Sequence, residues 1–88
     1  MKLYRICTEA KNVKRISEFA GNMFEGCGIF QGKGYWKGKQ ESSLCIEVFT
    51  GDDAGTKLAV IEFAKNIKAI NKQEAVLIEE FEVRGEFV

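Results

Sequence analysis

Proline and histidine are both missing from this 88-residue chain. Without histidine it lacks the commonest general base and the commonest metal ligand. Cysteine is scarce: Cys7, Cys27 and Cys45 stand in no CxxC arrangement, so neither a disulfide framework nor a zinc site is expected. A reducing, cytoplasmic setting fits that usage best. No run nears the roughly 18 apolar residues that a membrane span needs, and Met1-Lys2-Leu3-Tyr4 enters a strand-like run with no apolar leader before it, so a soluble protein without a membrane partner is expected. Net charge is also absent, with 13 basic residues against 13 acidic ones. That balance argues against general nucleic-acid binding through a basic surface.

What is present is a normal apolar content of 45%, including seven Phe and one Trp, enough for one small core and too little chain for two domains. A single domain over residues 1–88 is expected. The charge is divided unevenly: residues 1–40 carry eight Lys/Arg and three Glu, whereas residues 41–88 carry five Lys/Arg and ten Asp/Glu. The two halves either neutralise each other within the fold or pair head to tail between chains.

Along the chain, Lys2 to Thr8 reads as a strand, and Val13, Ile16, Phe19, Ala20 and Met23 mark a helical stripe, with Asn12 as N-cap and Gly26 as a left-handed C-terminal residue. Gly28 to Lys37 returns to strand character, interrupted at Gly32 and Gly34 as by a bulge or a close backbone approach. A turn around Gly38 to Ser42 leads to a second strand, with Leu44, Ile46 and Val48 on one face and Cys45, Glu47 and Phe49 on the other. Asp53 or Thr56 can cap a second helix that ends near Asn71, and Glu74 to Val83 forms the last strand.

With right-handed crossovers, the order βαββαβ gives the ferredoxin-like fold, an α+β arrangement with a four-stranded antiparallel sheet and two helices on one face. The first strand then lies beside the last, where Lys2 and Arg5 can oppose Glu79, Glu80 or Glu82. One sheet face is left uncovered although apolar residues occur on both, so a homo-oligomer through the open face is expected.

The stretch richest in recognition chemistry is Lys33, Gly34, Tyr35, Trp36, Lys37 and Lys39, with Gly32 and Gly38. Glycines admit a ligand to the backbone, lysines attract phosphates, and an aromatic face stacks on a base for about 1–3 kcal/mol. A small anionic, nucleotide-like ligand would suit this set. The glycine spacing matches neither a dinucleotide fingerprint nor a phosphate loop. The structural alternative is solvated lysines on a hairpin whose two aromatics face opposite ways. Cys27 lies past the end of the first helix with no histidine to activate it, while Cys7 and Cys45 read as small core residues. Asp52 and Asp53 read as a helix cap rather than a cation site. No catalytic residue, metal or cofactor is expected.

The βαββαβ order, the hairpin Gly28 to Thr50 and the run Asn71-Lys72-Gln73-Glu74-Ala75-Val76-Leu77 resemble the small PII/CutA-type ferredoxin-like proteins. Gly34-Tyr35-Trp36-Lys37-Gly38-Lys39 followed by Glu41-Ser42-Ser43-Leu44 is similar to short bacterial and phage proteins without an assigned activity. The resemblance implies assembly through the sheets and nucleotide binding between subunits, helped by the loop joining the second and third strands. By position it carries over to Lys33 through Glu41 alone, and the long mobile loop of PII proteins is missing. The basic, aromatic hairpin in a chain without catalytic residues suggests a non-enzymatic binder that, if the chain is phage-encoded as the resemblance hints, sequesters a nucleotide signal in the host cytoplasm. The competing expectation is a protein–protein interaction module using the aromatic, basic hairpin or a sheet edge.

Overall fold

A computed structural model describes residues 1–50, 54–86 and 88 of the chain. The elements are β1 (Lys2–Glu9), α1 (Val13–Met23), β2 (Cys27–Trp36), β3 (Lys39–Thr50), α2 (Ala54–Asn71) and β4 (Leu77–Glu82). The sheet is antiparallel in the order β2-β3-β1-β4, so β1 is central and adjacent to β4 as expected. This is the ferredoxin-like fold.

Alternation along the central strands separates two chemically distinct faces. Tyr4, Ile6, Leu44, Ile46 and Val48 point toward the helices and are buried. They meet Ile16, Ala20 and Phe24 from the α1 segment and Val60, Phe63, Ala64 and Ile67 from α2 in one core. Phe63 is the hub, packed edge-on against Phe19 and Phe24 at ring-centroid distances of 5.4 and 5.3 Å. Such pairs add about 0.5–1.5 kcal/mol beyond area burial.

The charge asymmetry is resolved largely across the strands. Lys2 Nζ lies 2.8 Å from a Glu82 oxygen, and Arg5 reaches Glu47 at 3.3 Å and Glu79 at 3.9 Å. Tyr4, otherwise buried, donates its hydroxyl hydrogen to Glu80 at 2.9 Å.

Several local expectations are corrected. Asn12 occupies the N-cap position with φ 52° but makes no side-chain cap; its amide donates instead to Asn71 Oδ1 at 3.0 Å. Gly26 is not the left-handed terminator, because the chain leaves α1 through extended Phe24 (φ −112°), whose ring is drawn onto Phe63. The left-handed terminator falls at the other helix. Lys72 has φ 53°, and bonds from Gln73 N to Lys68 O (3.0 Å) and from Lys72 N to Ala69 O (3.3 Å) form a Schellman motif.

The turn expected over Gly38 to Ser42 shrinks to Lys37 and Gly38, with φ 52° and 79°. Positive φ at both central residues is the geometry of a two-residue type I′ hairpin. Gln40 to Ser42 read as a turn by composition but pair with Tyr35 to Lys33 in unbroken register, so no bulge interrupts β2. β4 begins at Leu77 rather than Glu74. The connection before it is held by Gln73, whose Oε1 accepts hydrogen bonds from Thr8 Oγ1, Asn71 Nδ2 and the Glu9 amide. The capping role assigned to Asp53, and the Asp52-Asp53 pair itself, lie outside the described residues; Thr56 lies inside α2.

Candidate functional site

The face of the sheet away from the helices is crossed by three lateral rows of side chains. Phe49, Leu3 and Phe81 form one; Glu47, Arg5 and Glu79 the next; Phe30, Cys45, Cys7 and Leu77 the third, with Phe30 and Gly28 on β2 completing the ends. Two apolar rows thus flank an ion row that is satisfied within the chain. Arg5 donates from Nε and Nη2 to Glu47 at 3.3 Å and holds its guanidinium 5.2 Å from the Phe81 ring centroid. Phe30, Phe49 and Leu77 are 56, 55 and 56% exposed, high values for large apolar side chains on a small domain. Cys7 and Cys45 belong to this face and are half-buried, not core residues.

Beyond these rows β2 and β3 continue as a two-stranded ribbon toward the Lys37–Gly38 turn. Alternation divides the six residues of the sequence-predicted site between its faces. Gly34, Trp36 and Lys39 share the open face; Lys33 and Tyr35 share the helix side; Lys37 sits in the turn. Trp36 and Lys39 are directly opposed, and Lys37 places its ammonium 5.8 Å from the Trp36 ring centroid and 3.8 Å from Glu74. Among the described residues no carboxylate lies within ion-pair distance of Lys33 or Lys39. The two lysines are therefore free to meet an anion.

By strand register, the open face of the ribbon has a gap in its row of side chains, a shallow trough. Gly32 and Gly34 leave bare backbone on β2 between the side chains of Phe30 and Trp36, while Ser43 and Glu41 border it on β3. A Cβ at Gly34 or Gly32 would make only ordinary contacts with Ser43, at 3.4 and 3.8 Å, so what glycine leaves there is open backbone. From Phe30 to Trp36 the trough spans about 20 Å, at about 3.3 Å per residue. It is long enough for a nucleotide and edged by an aromatic ring at each end.

Phe30 and Ser43 were missed in the sequence. Counting back from Trp36 in steps of two reaches Gly34, Gly32 and Phe30, which was the available signal. A larger concavity lies elsewhere. A cleft of about 920 Å³ opens at the opposite end of the β2–β3 ladder, lined by Met23, Cys27, Phe30, Phe49, Thr50 and Thr56 among others. Phe30 borders both features.

No family model matches the chain, and no curated protein matches its sequence. Solved structures do match. The fold is that of CutA and PII-like proteins. A phage SAM lyase in its apo state superimposes with TM-score 0.76 at 14% identity, over 91% of this chain and 78% of the lyase. The CutA1 protein of Pyrococcus horikoshii gives TM-score 0.63 at 13% identity, covering 99% of this chain and 87% of its own. CPII, a nitrogen regulatory PII-like protein from Thiomonas intermedia bound to ADP, AMP and bicarbonate, gives 0.62 at 11% identity, over 98% and 94%. These likenesses concern the fold. Among the described residues no helix is long and apolar enough to cross a membrane.

Proposed function

We propose that this chain is a self-associating binder of a small nucleotide-like anion, held in the open-face trough and performing no chemistry on it. The observation that carries the reading is the trough itself, with bare backbone at Gly32 and Gly34, Trp36 as the stacking surface, and Lys39 and Lys37 beside it as phosphate partners. Tyr35 and Lys33, on the other face of the ribbon, engage the ligand of a neighbouring copy. Two fold neighbours support the ligand class: CPII carries ADP and AMP, and the phage SAM lyase was also solved with S-methyl-5'-thioadenosine. All three ligands share an adenine-ribose core, and of them ADP and AMP are the anions. A second copy is the covering partner because the open face is apolar on both sides of an ion row that needs no outside charge. In a phage setting, such a binder would serve to sequester a nucleotide signal in the host cytoplasm.

The ultraviolet spectrum of the purified protein and calorimetric titration with AMP, ADP and S-methyl-5'-thioadenosine test the binding. Co-purification of a nucleotide, or Kd below about 1 mM, is expected; absence of both overturns the reading. Incubation with SAM tests the statement about chemistry, since catalytic appearance of S-methyl-5'-thioadenosine would make the chain an enzyme.

A second reading is favoured by one observation. Tyr35 is 73% exposed at the tip of a projecting ribbon, as a docking residue would be. A protein partner lost on Trp36→Ala, with no nucleotide binding, would establish the interaction module instead.

A further inference from the structure

Cys7 and Cys45 are directly opposed on the neighbouring strands β1 and β3, with their sulfur atoms 3.0 Å apart. Facing residues of an antiparallel pair have Cα atoms about 4.5 or 5.5 Å apart, and both separations lie inside the range that a disulfide spans. The sulfurs need to approach by only about 1 Å to reach the bonded distance of about 2.05 Å. Both thiols are half-buried on the open face, reachable from solvent in a single uncovered chain such as dilute solution favours, and lie in the row between Phe30 and Leu77. Cys27, on the other side of β2, is remote from them by strand parity.

We infer that Cys7 and Cys45 form a dithiol modification site that a low-molecular-weight disulfide such as oxidised glutathione converts to an internal disulfide linking β1 to β3. The inference rests on this geometry and not on the proposed ligand. Burial and the adjacent Cys45 push the Cys7 thiol up, and either sulfur can donate the S–H between them. Cys45 loses its proton and its thiolate attacks one sulfur of the oxidant. The oxidant's S–S bond breaks, a mixed disulfide forms on Cys45, and the departing thiolate takes up a proton. Cys7 then gives up its proton and attacks the Cys45 sulfur, releasing the second small thiol. Two electrons pass from the dithiol to the oxidant, which leaves as two thiols.

The new bond closes a loop between residues 38 positions apart, pinning the two strands at the centre of the open face. A reagent that bridges two thiols, such as a trivalent arsenical, meets the same pair, whereas a lone thiol holds it weakly.

The Cys27→Ser variant, treated in dilute solution with oxidised glutathione, isolates the pair. Intact mass is expected to fall by two hydrogens with no glutathione retained, and peptide mapping to join the Cys7 and Cys45 peptides; dithiothreitol restores the original mass. In Cys27→Ser/Cys7→Ser, glutathione is expected to remain on Cys45 as a stable adduct. A persistent adduct in Cys27→Ser itself, unchanged thiols under conditions that modify the double variant, or a disulfide between chains would each overturn the inference.

Discussion

Trp36 is the single tryptophan of the chain and stands 55% exposed at the end of the trough. Its removal leaves no cavity in the core. Trp36→Ala is expected to change the urea midpoint little, within the ±0.5 kcal/mol usual for surface substitutions, while weakening nucleotide binding by the value of one stacked base, about 1–3 kcal/mol. Cys7 offers a second test at this scale. Burial, followed by the hydrogen bond and charge of Cys45, raises its thiol from the ordinary 9.0 to about 12. A group whose folded-state value is raised contributes stability that is complete below the ordinary value and is lost as pH rises toward the folded one. Denaturation midpoints are therefore expected to hold up to about pH 9 and decline toward 12, the interval of that shift, and Cys7→Ala should remove part of the decline. An identical alkaline profile in the variant would contradict this origin.

At the scale of elements, the hairpin depends on Gly38, whose φ of 79° suits glycine alone without strain. Gly38→Ala is expected to cost about 1 kcal/mol, and circular dichroism with urea melts checks it. The polar junction joining β1 to the end of α2 is more demanding. Asn71 is buried, accepts from Asn12 at 3.0 Å and donates to Gln73 at 2.8 Å. Asn71→Ala strands those partners and should cost about 1–3 kcal/mol in the same melts. Much of this level was legible in the sequence. The stripes of α1 and α2 and the alternation of Leu44, Ile46 and Val48 are patterns of burial, and burial decides where elements lie. The short turn, Asn12, Gly26 and the start of β4 were not legible, because each is settled by a distant partner. Gln40 to Ser42 are strand because Lys33 to Tyr35 lie across from them, Asn12 is turned away from capping by Asn71, and Phe24 is drawn out by Phe63. The site was half legible for a related reason. Residue types singled out Lys33 to Lys39, and the opposite facing of Tyr35 and Trp36 was legible as well, but only the strand register pairs Trp36 with Lys39 and brings in Phe30.

At the scale of the whole molecule, the helices cover one sheet face, and the other keeps two apolar rows about a self-satisfied ion row. In the proposed self-association, a second copy on that face would exclude water from Phe49, Leu3 and Phe81 and supply the wall that the shallow trough lacks. Phe49→Glu inserts a charge there without touching the core, since Phe49 is 55% exposed. Light scattering at tens of micromolar is expected to show an oligomer for the parent chain and a shift toward monomer for the variant. A strictly monomeric parent would contradict self-association.

The binding reading meets its most direct test in Trp36. Calorimetric titration of AMP and ADP into the parent chain and into Trp36→Ala, with the fluorescence of the single tryptophan followed in the parent chain, probes stacking and affinity together. Quenching on binding, a Kd below about 1 mM, and a loss of about fivefold to 160-fold in the variant, as 1–3 kcal/mol requires, are expected. Binding of equal strength in the variant, or no binding to the parent, would contradict the binding reading.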